Sequence, residues 1–121
     1  MARILLADDD SATRDFVKRA LVTDGHQVVA TQDGAEALDQ FRAAADGFDL
    51  LVSDVQMPSL DGISLAAQVL EGGRNIGVIL MSGFSGELDR ADHLRSNAVR
   101  VITKPFTLEQ LRAEVKAALS R

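Results

Sequence analysis

Short apolar runs alternate with amphipathic stretches along the whole chain. Ile4-Leu5-Leu6-Ala7 is an unbroken apolar run, the pattern of a strand covered on both faces. Thr13, Phe16, Val17, Ala20 and Leu21 then recur at helical spacing. Asp24-Gly25 stops that helix, because glycine readily takes the left-handed conformation at a helix end. Val28-Val29-Ala30 predicts a short second strand. Asp33 is the expected cap of a second helix that buries Leu38, Phe41 and Ala45 and ends at Gly47. Leu50-Leu51-Val52 predicts a third strand, Ile63, Ala66, Ala67 and Leu70 a third helix closed by Gly72-Gly73, and Gly77 through Met81 a fourth strand. Leu88, Ala91 and Leu94 form a thin stripe among Glu87, Asp89, Arg90, Asp92 and Arg95, so the fourth helix has the weakest packing face and is expected to be the loosest. Val99 to Ile102 predicts the fifth strand, and Leu108, Leu111, Val115 and Leu119 the last helix. Phe16, Phe41 and Phe106 are expected in the core.

Strict alternation of five strands with five helices predicts an α/β fold, a doubly wound (βα)5 five-stranded parallel sheet covered on both faces. Ligands of such sheets bind beyond the carboxyl ends of the strands. Asp8-Asp9, Asp54, Ser82 and Lys104 each follow a predicted strand, so carboxylates, a hydroxyl and an ammonium are expected to converge there.

Composition narrows the function classes. The 121 residues suit one domain, 1–121, and no linker or repeat marks an internal boundary. No cysteine is present, which removes disulfides, thiolate metal sites and a cysteine nucleophile, and points to the cytoplasm. Met1-Ala2-Arg3 leads into an apolar run too short for a signal-peptide core or a membrane span. Thirteen basic against 18 acidic residues, a net charge of −5, leave no basic stripe for nucleic acid. Asp8, Asp9 and Asp10 are consecutive; capping accounts for Asp10 or Ser11, but not for two acids so close to a buried strand.

The chemistry follows from the donor types. Mg²⁺ takes hard oxygen ligands, one or two of them carboxylates. Asp9 and Asp54 supply these, with Asp8 holding a coordinated water or ligating directly. Packed without metal, such acids repel one another, and at least one is expected to have a raised pKa. Asp54, alone on the neighbouring strand and facing the acid pair, is the nucleophile candidate for an acyl phosphate. Lys104 then meets the phosphoryl oxygens as a point charge and Ser82 donates a hydrogen bond.

Asp8-Asp9, the Asp54-Val-Gln-Met-Pro-Ser-Leu-Asp-Gly62 segment, Ser82-Gly83 and Lys104-Pro105-Phe106 together resemble the receiver domains of two-component response regulators, from Arg3 to about Leu119. The resemblance implies a flavodoxin-like sheet of order 2-1-3-4-5, as in CheY-like single-domain receivers. It implies that Asp54 takes a phosphoryl group from a phosphohistidine on a sensor histidine kinase or histidine phosphotransfer protein of a bacterial phosphorelay. Mg²⁺ would be held by Asp8, Asp9, Asp54 and the backbone carbonyl of Gln56. The Lys104-Pro105 peptide is expected to be cis. The protein would be no enzyme in the usual sense, but a phosphoacceptor that assists its own transfer and autodephosphorylation. Output would pass through the fourth helix, fifth strand and fifth helix, Glu87 to Ser120, to a downstream protein, from a monomer or weak dimer.

The chain departs from that pattern at Val101, where receivers commonly carry Tyr or Phe, and Ser82 stands where Thr is commoner. Phe84 is a candidate replacement reporter; the other reading is that it packs the fourth helix onto the sheet. His26 and His93 are read as surface residues, and Asp61-Gly62 as a structural turn. Starting at Met1 and ending just past the last helix suggests a free-standing protein without a DNA-binding domain. The alternatives are a receiver module of a hybrid histidine kinase or a phosphorelay shuttle. A more distant rival is a haloacid-dehalogenase-like phosphatase with Asp8 as nucleophile and Asp10 as acid, although Ala12 breaks that signature.

Overall fold

A computed structural model of the protein describes residues 1–44, 47–71, 75–83 and 99–120. Five strands form one parallel sheet in the order β2-β1-β3-β4-β5, with β1 at Arg3–Ala7, β2 at Gln27–Thr31, β3 at Leu50–Asp54, β4 at Gly77–Ser82 and β5 at Val99–Thr103. Four helices accompany them among the described residues: α1 (Ser11–Thr23), α2 (Gly34–Ala43), α3 (Gly62–Glu71) and a C-terminal helix (Leu108–Leu119). The predicted fourth helix, with Leu88, Ala91, Leu94 and His93, and the candidate reporter Phe84 lie outside the described residues.

The central strands β1, β3 and β4 are apolar without alternation because helices cover both faces. Successive side chains therefore feed two separate cores. One holds Leu5, Ala7, Leu51, Val78 and Leu80 with Leu38, Phe41, Leu65 and Val69 of α2 and α3. The other holds Ile4, Leu6, Val52, Ile79 and Met81 with Val17 and Leu21 of α1 and Leu111 and Val115 of the C-terminal helix. Each helix start is fixed by its own chemistry. Asp10 accepts from the Thr13 N–H, Asp33 from Glu36, and Thr107 forms a reciprocal capping box with Gln110.

Two expectations are corrected. Phe16 is 44% exposed rather than core, since Val17, Ala20 and Leu21 already fill the inward stripe of α1. Its ring meets Phe106 at a centroid separation of 6.2 Å, and Phe106 itself is only half-buried. His26 is not a bare surface residue: half-buried, it accepts the Ala2 N–H on Nδ1 at 3.2 Å and so ties the start of β1 to the approach to β2.

Close backbone approach explains one glycine and chain reversal another. A Cβ on Gly62 would collide with the carbonyl oxygen of Asp54, which lets α3 begin directly against the end of β3. Gly25, at φ +92°, turns the chain out of α1 with open space around it. Gly62→Ala is therefore expected to destabilise the protein by about 1–3 kcal/mol through overpacking. Gly25→Ala should show only the left-handed backbone penalty, about 1 kcal/mol. Urea unfolding midpoints of the two variants beside the wild type check both values.

Candidate functional site

The register of the sheet brings the singled-out residues together. Asp54 ends β3 and Ser82 ends β4, while Asp8 follows β1 and Lys104 follows β5. Ala7 is paired with Ser53, Asp54 with Met81, and Ser82 with Thr103, so all four side chains leave one edge of the sheet. Lys104 crosses from the outer strand to the centre. Its Nζ lies 3.3 Å from Asp54 Oδ2 and 3.4 Å from Asp8 Oδ2. Its backbone N–H donates to the Ser82 carbonyl at 2.7 Å, and the Lys104-Pro105 peptide is cis. Asp8 and Ser82 are fully buried, Asp54 is 9% exposed, and Asp9 is open to solvent. Gln56 lies two residues beyond β3, exposed at the rim.

Three neighbouring groups hold the acidic loop. The Asp8 N–H donates to the Thr31 carbonyl at 3.2 Å. Asp8 Oδ1 accepts from the Asp10 N–H at 2.9 Å, and its carbonyl accepts from Arg14 Nη1 at 2.8 Å. Asp10 faces away to cap α1, taking both the N–H and the hydroxyl of Thr13. On the other strand, the buried Ser53 hydroxyl donates to the Asp54 carbonyl at 2.9 Å.

Burial sets the electrostatics. It pushes the Asp54 carboxyl up to about 6, against the opposing pull of Lys104 and with a further push from Asp8. Burial also raises Asp8, offset in part by the Asp10 N–H and Lys104. Mutual repulsion, the cause anticipated from sequence, is thus secondary to desolvation. Burial works to lower Lys104, yet the two carboxylates overcome it and hold the ammonium above its ordinary range. Asp10 is held low by its two bonds to Thr13.

One ligand oxygen from each of Asp8, Asp9 and Asp54 falls within 4.8 Å of the others. This all-oxygen set, with two buried carboxylates whose ionised forms are disfavoured, fits a hard divalent cation of the Mg²⁺ type.

Residues 4–116 match the family model of the response regulator receiver domain. The chain belongs to this family. Among curated relatives, the response regulator MprA of Mycobacterium avium is 38% identical over 119 residues. That match takes in 98% of this chain but 51% of MprA, so the chain spans about half the length of such relatives. The receiver domain of the Francisella response regulator 1452 is 30% identical with a TM-score of 0.86, covering 100% of this chain and 98% of that one. The receiver domain of a signal transduction histidine kinase from Syntrophus aciditrophicus is likewise 30% identical, with a TM-score of 0.85, over 99% of this chain and 91% of its own.

Arg14, Ser53 and Thr31 were not among the residues picked out from the sequence. The available signals were a cation in the first turn of a helix, where the dipole disfavours it, and a serine inside an otherwise apolar strand. Thr31 carried no comparable signal: it is buried, with its hydroxyl on the Leu6 carbonyl at 2.8 Å. Val101, at the departure from the receiver pattern, is half-buried against the α2–α3 core.

A pH dependence follows from Asp54. Its folded pKa is raised from 3.8 to about 6, so the native state binds the proton more tightly than the unfolded chain. In chelator, lowering the pH through 6 should therefore stabilise the receiver, and the gain fades as pH rises above 6. Asp54→Asn should be more stable than wild type at pH 7 by on the order of 1–2 kcal/mol, and should show a weaker pH response, the remainder coming from Asp8, which burial also raises. Urea unfolding in EDTA between pH 5 and pH 8 checks it; a wild type less stable at pH 5.5 than at pH 7.5 would contradict the assignment.

Proposed function

We propose that this receiver is a phosphoacceptor in which Asp54 takes a phosphoryl group from a phosphohistidine on a sensor histidine kinase or histidine phosphotransfer protein, in a Mg²⁺-dependent reaction in the cytoplasm. The observation that carries the reading is the single ammonium of Lys104 shared by two buried carboxylates, Asp8 and Asp54, with Asp9 beside them. An Asp54 carboxylate oxygen attacks phosphorus, and a P–O bond forms as the P–N bond to the donor imidazole breaks. The imidazole leaves with the electron pair and is protonated by solvent. With a pKa of about 6, Asp54 is mostly ionised at pH 7 and ready to attack. Lys104 exchanges a carboxylate for a phosphoryl oxygen, and Ser82 donates a hydrogen bond to another. Asp8, Asp9, Asp54 and the Gln56 carbonyl would hold Mg²⁺, which supplies neutralisation of the phosphoryl oxygens.

Asp54 suits the nucleophile's role better than Asp8. Asp8 is fully buried, with Oδ1 on the Asp10 N–H and Oδ2 facing Lys104, whereas Asp54 retains some access. This speaks against the phosphatase reading. An apolar cavity of about 430 Å³, lined by Ala12, Thr13, Phe16, Lys104, Pro105 and Phe106, opens beside the site. The protein is read as an acceptor whose side chain is consumed and regenerated by hydrolysis, not as an enzyme with a separate substrate. Output is assigned to the face comprising the predicted fourth helix, β5 and the C-terminal helix, read by a protein partner. Among the described residues, Arg100 and Glu114 pair across that face at 2.7 Å. Similar receivers occur in response regulators and in a histidine kinase, so partner contacts rather than fold would separate the free-standing and hybrid-kinase readings.

Intact mass after acetyl phosphate and Mg²⁺ tests the proposal. The wild type is expected to gain one phosphoryl group, and both Asp54→Asn and EDTA should abolish the gain. Steady phosphate release that survives Asp54→Asn but stops with Asp8→Asn would overturn the reading in favour of the phosphatase.

A further inference from the structure

Arg14 stands in an electrostatically adverse place. It is the fourth residue of α1, and its backbone N–H joins the first helical turn by donating to the Asp10 carbonyl at 2.9 Å. The positive end of a helix dipole disfavours a cation there; the first turn itself holds no acidic residue, and the N-cap Asp10 is engaged by Thr13. The half-buried side chain instead reaches back over the acidic loop, where Nη1 donates to the Asp8 carbonyl at 2.8 Å.

The other anchors of the loop act on different atoms. Thr31 takes the Asp8 N–H, the Asp10 N–H meets Oδ1, and Lys104 faces Oδ2. These hold the start of Asp8 and its carboxylate. The carbonyl belongs to the Asp8–Asp9 peptide, and the orientation of that peptide sets where the Asp9 side chain leaves the backbone. Asp9 is the exposed member of the three-carboxylate cluster, without the burial that confines Asp8 and Asp54.

We propose that Arg14 is a positioning residue for divalent-cation binding, fixing the Asp8–Asp9 peptide so that the Asp9 carboxylate is presented toward Asp8 and Asp54. The inference rests on the Mg²⁺ site described above. Arg14 touches neither cation nor phosphoryl group; it acts through a backbone carbonyl. A group that orients a ligand from outside the coordination sphere typically changes metal affinity when removed, even with every ligand retained. Among the described residues one guanidinium N–H meets this carbonyl, so an ammonium on a long stem can replace it, while a methionine of similar reach cannot.

The test is a Mg²⁺ titration of ¹⁵N-labelled protein at pH 7, following the amide shifts of Asp9 and its neighbours, for wild type, Arg14→Met and Arg14→Lys. Urea unfolding in EDTA runs in parallel. Arg14→Met is expected to raise the Mg²⁺ dissociation constant about tenfold, with Arg14→Lys restoring most of the loss. An unchanged dissociation constant for Arg14→Met overturns the inference. So does a loss that follows the urea midpoint and is not restored by Arg14→Lys, because that is the behaviour of a helix-stability residue. A wild type that binds Mg²⁺ beside an undisturbed Arg14→Met removes this inference alone. A wild type without any Mg²⁺ response removes the metal site and this inference with it.

Discussion

The central constraint is one ammonium serving two buried carboxylates. Lys104 lies within 3.4 Å of both Asp8 and Asp54, and the three groups come from three different strand ends. Two carboxylates this far out of water are tolerated only with a counter-charge and hydrogen bonds, or with a proton taken up. The fold supplies the first two in part, and the raised pKa of Asp54 shows what is left over. A parallel sheet makes the arrangement possible because every strand delivers its last residue to the same edge. Helices on both faces bury the strands that carry the cluster.

Most of this architecture was legible in the chain. Apolar runs without alternation specified strands buried on both sides, and residues one or two positions past four of the five runs were the ones that reached the site. Asp10 and Asp33 could be read as helix caps because Asp at the start of an amphipathic stretch has few other uses. What sequence could not resolve was the division of labour among three consecutive acids. In the structure Asp8 is buried against Lys104, Asp9 is exposed but keeps a carboxylate oxygen beside those of Asp8 and Asp54, and Asp10 turns away to cap α1. Identical chemistry thus takes three environments within three residues, and only backbone direction separates them.

The misreadings have two physical origins. Phe16 fits the helical period of α1, but it sits at the margin of the inward stripe, where 3.6-residue periodicity does not say which flank faces solvent. His26 looked like a surface residue because its partner is a backbone N–H 24 positions away, and no local pattern marks such a contact. Arg14 and Ser53 escaped notice for the same reason: each bonds a carbonyl, and any residue type presents a carbonyl. Side-chain-to-side-chain chemistry leaves a trace in residue type. Side-chain-to-backbone chemistry leaves almost none.

The 2.7 Å bond from the Lys104 N–H to the Ser82 carbonyl has a mechanical side. It extends the β4–β5 ladder one step beyond the last paired residues, Ser82 and Thr103, to the very point where hydroxyl and ammonium emerge. The two groups are thereby mounted on one stiff bracket, itself paired through Met81 to Asp54 at the end of β3. A tug on either member displaces both. Any rearrangement drawn in by charge at the centre of the sheet would travel outward along that bracket to β5 and the C-terminal helix.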